Sequence, residues 1–182
     1  MVNTGKELID ICQKRNIKIW EYTVEQEVKL TGKSRKEIFN NMKKNFAVMK
    51  NSAEYGIQHR VKSVSGLIGG DAYKLGEYCG REKTLTGTFM VKAMARALSC
   101  SEINAAMGKI VASPTAGSCG IIPAVIITAG EKLNKNEDEL IQSLFTASGV
   151  GILIAKNATM AGAEGGCQAE CGSASAMASA PS

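Results

Sequence analysis

A chain of 182 residues that is 45% hydrophobic, with a net charge of +5, is long enough to bury one sizeable core and too apolar to remain disordered. With 5% aromatic residues and 19 glycines, it favours helices packed through small side chains over aromatic-rich sheets. The longest apolar runs, GIIPAVIITAG and GVGILIA, fall short of the roughly 18 to 20 residues of a bilayer span, and MVNTGKELID has no secretory pattern, so the expectation is a cytoplasmic protein with no membrane partner.

In chain order, Thr4 and Glu7 read as a capping box that opens a first helix carrying Leu8, Ile11 and Cys12 to about Arg15. Val24, Val28 and Leu30 predict a shorter helix stopped by Gly32. Ser34 and Glu37 repeat the capping device ahead of Ile38, Met42, Phe46, Met49 and Ala53, a helical stripe ended by Gly56. The stretch VSGLIGGDA reads as a glycine-rich loop opening a helix at Asp71. An Ala/Met-rich helix is predicted from Thr88 to Leu98, a short one around Asn104 to Met107, and a largely apolar one from Ile121 to Leu133. Asn136 with Glu139 caps another through Phe145, and from Gly149 onward Gly and Ala dominate. No segment alternates with period two between hairpin turns. The predicted fold is mainly α, with Gly-rich loops at 65–71, 113–120 and 162–172. The domain reading is one unit over 1–182, basic and helical over 1–56 and site-forming over 57–182.

Charge is uneven: residues 1–62 hold 13 Lys and Arg against 7 Asp and Glu, a net +6, whereas residues 63–182 hold 9 against 10, a net −1. The lysines interleave with acids on helix-like segments, which reads as a solvated helix surface and not a nucleic-acid face. Six cysteines scattered through a chain without a leader read as thiols, metal ligands or buried residues before disulfides. Cys167 and Cys171, at i and i+4, would share a helix face, but a lone C-x3-C is a weak metal signal beside a reading as small buried hydrophobes. The single histidine, His59, offers no Ser-His-Asp set. Gly-rich turns ahead of helices direct N–H groups at an anion, and neither of the first two loops matches a dinucleotide or Walker fingerprint.

Taken together, SGLIGGDA (65–72), NAAMGKIVASPTAGSCGIIPAV (104–125) and NATMAGAEGGCQAECGSASAMA (157–178), preceded by KELIDICQKRNIKI, resemble the alpha chain of the two-subunit bacterial iron-sulfur L-serine dehydratases, or L-serine ammonia-lyases. That resemblance implies a 4Fe-4S cluster, L-serine as substrate and a beta chain as partner. It makes Cys167, in GGCQAE, the first of three thiolate ligands, with Cys171 and Cys119 as neighbours. The other two ligands belong to a later segment resembling CDPVAGLVEVPC, which lies outside these residues. The expectation is a C-terminally truncated chain, inactive alone. By analogy together with the helix-terminus argument, Ser65, Gly66, Ser113, Thr115, Ala116 and Gly117 are the substrate-binding residues. The base that removes the α-proton stays unassigned between His59, Lys109 and the beta chain. Two competing readings are a pyridoxal-phosphate dehydratase, which predicts a parallel sheet, and a non-catalytic assembly module.

Overall fold

The computed structural model describes residues 2–81 and 83–181, which form α-helices and turns with no strand. The pyridoxal-phosphate alternative therefore lacks its sheet. The helices are α1 (Gly5–Arg15), α2 (Ile19–Thr31), α3 (Arg35–Gln58), α4 (Asp71–Cys79), α5 (Thr88–Ala105), α6 (Ile121–Lys132), α7 (Glu137–Asn157), the single turn α8 (Gly162–Gly165) and α9 (Cys167–Ser179).

The helix starts follow the capping logic. Ser34 Oγ accepts from the Glu37 N–H while Glu37 Oε2 accepts from the Ser34 N–H, and Asn136 and Glu139 repeat the exchange at α7. At α1 the exchange is split: Thr4 Oγ1 accepts from Glu7 N–H, but the Glu7 carboxylate reaches back to the Asn3 N–H.

Several helices outrun their predicted ends. Gly56 does not stop α3. It is buried within the helix, donates its N–H to Ser99 Oγ at 2.8 Å, and a Cβ there would meet Ser99 Cα at 3.1 Å. Glycine is present because α3 and α5 approach backbone to backbone. The segments predicted as separate helices at 88–98 and 104–107 are one helix, α5, because the serines between them turn their hydroxyls to carbonyls: Ser99 to Ser52 O, Ser101 to Ala97 O. Likewise α7 runs past Phe145 and through Gly149 and Gly151, where the missing side chains make room for Thr23 and Met177. The predicted loop at 162–172 is largely helical as well.

The main core joins α2, α3, α5, α6, α7 and α9 through Val24, Phe46, Met49, Cys100, Ile122, Ile141, Phe145 and Met177, among others. A smaller cluster of Val2, Leu8, Cys12 and Tyr22 seats α1. By length and composition α7 could cross a membrane. In this fold it packs against α2, α3, α6 and α9, with Ile141, Leu144, Phe145 and Ala147 buried. Arg96 of α5 is 2% exposed and ties three helices together, donating to Glu54 of α3 and to Thr128 and Glu131 of α6.

Candidate active site

The second Gly-rich segment is a structured turn between α5 and α6. It starts with a cis Ser113–Pro114 peptide, and Thr115 and Ser118 close it: their hydroxyls lie 3.1 Å apart, and the Ser118 N–H donates to Thr115 Oγ1. Asn104, in the last turn of α5, donates through Nδ2 to the Ala116 carbonyl at 3.0 Å. The turn's polar groups are thus largely spoken for, with two exceptions. The consecutive N–H groups of Ala116 and Gly117, both exposed, have no partner among the described residues. The Ser113 hydroxyl is buried without a partner, in a residue that lines, with Pro114, Met49, Met160 and Met177, a cavity of about 340 Å³. Unfilled donors at a tight turn suit an anionic group.

The third motif supplies the opposite wall. Gly166 adopts φ 73°, a left-handed conformation that a side chain rarely accepts, and this lets α9 begin at Cys167. A Cβ at Gly165 would lie 2.6 Å from the Ala169 methyl and 3.0 Å from Thr159 Cγ2. The scarcity of side chains here is explained by this packing of the motif onto itself. Cys167 stands exposed at the first position of α9, and Cys171 lies one turn on and half-buried. Glu170, between them, projects to the second turn: a Cβ at Gly117 would overlap Glu170 Oε1, and one at Gly162 would lie 2.8 Å from Oε2. Glycine at 117 and 162 is what admits this carboxylate.

The first Gly-rich segment reaches the other side of the same region through α5. The Val64 N–H donates to the Ala105 carbonyl, and the Asp71 and Ala72 N–H groups at the start of α4 donate to Glu102 Oε1 at 2.6 and 3.2 Å. Glu102 is 5% exposed, and its Oε2 has no partner. Ser65 Oγ is 3.2 Å from Ser63 Oγ and accepts from the Leu67 N–H. Gly66 turns at φ 74° beneath the Lys62 stem.

The structure therefore brings Ala116, Gly117 and the Cys167 end of α9 to one junction. It connects Ser65 and Gly66 to that junction only through the last turns of α5, where Glu102 holds α4 and Asn104 holds the second turn. Thr115 acts inside its own turn. His59 is engaged with its own helix, its Nδ1 3.1 Å from Tyr55 O and its ring stacked on Tyr55, and Lys109 is exposed between α5 and α6. Sequence reasoning passed over Glu170, Asn104 and Glu102. A signal existed for two of them: Glu170 stands three residues after Cys167 in GGCQAE, and Glu102 is the one acid in α5.

Among the described residues no group of three or more His, Cys, Asp or Glu side chains is placed to hold a metal ion. Cys167 is one accessible thiol, while Cys100 and Cys119 are buried with their thiols pushed toward the neutral form by burial. The donor set of these residues does not fit a complete 4Fe-4S cluster.

Fold and site together define a helical protein in which backbone-rich turns gather around one thiol and one carboxylate. The chain belongs to the serine dehydratase alpha chain family, whose model matches residues 14–181. It is 46% identical over 180 residues to the L-serine dehydratase alpha chain of Peptoniphilus asaccharolyticus, covering 99% of this chain and 62% of the relative. It is 43% identical to the probable L-serine dehydratase alpha chain of Bacillus subtilis, over 99% of this chain and 60% of the relative. L-serine dehydratase 2 of Escherichia coli is 32% identical over 98% of this chain and 40% of its own length. The chain thus spans about 60% of the length of the alpha-chain relatives it matches over nearly its whole length. The resemblance carried by the three Gly-rich motifs is borne out at family level.

Proposed function

We propose that these residues are the alpha-chain part of an L-serine ammonia-lyase that converts L-serine to pyruvate and ammonia by eliminating water, in a cytoplasmic complex with a beta chain. The observation that carries the reading is the junction at Gly117, where two free N–H donors lie beside the end of α9 that begins with the exposed Cys167. The names of the relatives, L-serine dehydratase alpha chain, support the substrate and the partner chain.

In this reading the Ala116 and Gly117 N–H groups receive the substrate carboxylate, and Thr115 with Ser118 holds the turn in the geometry that presents them. Ser113, whose buried hydroxyl has no partner among the described residues, belongs to the same turn, and Ser65 and Gly66, in the first turn, reach the junction only through the last turns of α5. Cys167 provides one thiolate to a 4Fe-4S cluster whose remaining ligands lie outside these residues, so residues 1–182 alone are inactive. The assay is pyruvate formation from L-serine, under anaerobic conditions, by the full protein with its beta chain. Turnover of L-serine supports the reading, and a protein loaded with iron that forms no pyruvate from L-serine contradicts it.

A further inference from the structure

Glu170 has an environment that its helix does not account for. The residue is partly buried, its carboxylate oxygens face the Cα atoms of Gly117 and Gly162, and the carboxylate makes no hydrogen bond or ion pair among the described residues. The other carboxylates packed into this part of the fold are engaged: Glu164 accepts from Thr159 Oγ1 at 2.6 Å, and Glu102 accepts two N–H groups of α4. A carboxylate with no protein donor is left to water or to a ligand that provides the donor. Against it lies the Cα of Gly117, whose N–H, like that of Ala116 before it, is a donor with no acceptor among the described residues. A free anionic acceptor side by side with free donors is the complement of one kind of small molecule, an α-amino acid zwitterion, whose ammonium and carboxylate are separated by two bonds.

The structure assigns Glu170 as the residue that binds the α-ammonium of the amino-acid substrate, with the Ala116 and Gly117 N–H groups taking its carboxylate. The assignment rests on the lyase reading above and makes the site selective for amino acids over hydroxy acids of the same shape. Glycine at 117 then has a double duty, since its N–H is a donor and its missing side chain leaves room for the carboxylate.

The test compares L-serine with L-glycerate, which carries a hydroxyl in place of the ammonium, on the wild-type complex and on Glu170→Gln, with iron content and thermal unfolding recorded for each. Loss of a charge-assisted hydrogen bond predicts a KM for L-serine raised about ten- to a hundredfold. In the same variant kcat and the inhibition constant of L-glycerate stay close to wild type. Glu170→Asp, which keeps the charge, raises KM less than Glu170→Gln, and serves if the glutamine variant unfolds. A fall in kcat at unchanged KM would overturn the assignment in favour of proton transfer. Equal weakening of L-serine and L-glycerate, or loss of iron in Glu170→Gln, would overturn it in favour of a role in shaping the site. A wild-type complex that neither binds nor turns over L-serine defeats the lyase reading itself, and the assignment with it. A wild type active on L-serine with Glu170→Gln indistinguishable from it defeats the assignment alone.

Discussion

Gly56 and Cys100 show how much of this fold is decided by single side chains at the contact of α3 with α5. A methyl group at position 56 would lie 2.8 Å from Ser99 Oγ and 3.1 Å from Ser99 Cα, which is backbone and cannot swing aside. Gly56→Ala is therefore expected to cost about 1 to 3 kcal/mol despite the better helix propensity of alanine. Urea unfolding measures it, and a stabilised variant would show that the two helices can move apart. Cys100, fully buried with its Sγ 3.4 Å from Ser52 Oγ, has its thiol pushed up to about 12 by burial. Its folded value is raised, so its contribution is intact below the unfolded thiol value near 9.0 and is lost as pH rises from there toward 12, where the unfolded chain ionises and the folded one does not. Three units correspond to at most about 4 kcal/mol. Stability is expected to fall over that window and to fall less steeply in Cys100→Ala; parallel slopes for the two proteins would contradict the assignment of the effect to this thiol.

Among the helices, starts were legible in the sequence, as were the ends of α1 at Arg15, α2 at Gly32 and α6 near Leu133, whereas the ends of α3, α5 and α7 were not. Thr4, Ser34 and Asn136 with their acids three residues on are local signals, and each marks a real start. Ser34→Ala is expected to cost about 1 kcal/mol, measured by thermal unfolding, because the Glu37 N–H loses its acceptor. Gly56 resembled a helix stop because a glycine required by a close neighbour looks the same, in one dimension, as a glycine required by a turn, and Gly149 and Gly151 lie against close neighbours in the same way within α7. The neighbours, Ser99, Thr23 and Met177, are distant in sequence. The third motif misled for a related reason: its glycines and alanines suggest a loop, yet only Gly166, at φ 73°, needs glycine for its backbone, and α9 follows immediately. Cys167 and the Ala116–Gly117 turn were visible as motif residues, whereas Glu170 became a site residue only when the fold set it against Gly117 and Gly162.

Over the whole molecule, the buried Arg96 fastens the frame on which the turns are mounted. Burial disfavours its charge, but hydrogen bonds and charge from Glu131 and Glu54 outweigh that and hold it protonated; Glu131 in turn is held below the usual carboxylate range despite its own desolvation. Arg96→Met is expected to destabilise the protein by roughly 3 kcal/mol, since it leaves Thr128 without its donor, Glu54 without its cation and Glu131 with Lys92 alone. Adding Glu54→Gln and Glu131→Gln should recover part of that loss in the same unfolding assay; no recovery would show that the arginine acts through packing alone. In the proposed lyase, Cys167 at the start of α9 would be a ligand to the iron-sulfur cluster. The most direct test is iron and acid-labile sulfide per complex, after anaerobic purification of the full protein with its beta chain, for wild type, Cys167→Ala and Cys171→Ala. A ligand role for Cys167 predicts cluster-level iron in wild type and Cys171→Ala and its loss in Cys167→Ala with the fold intact. Cluster-level iron retained in Cys167→Ala would contradict it.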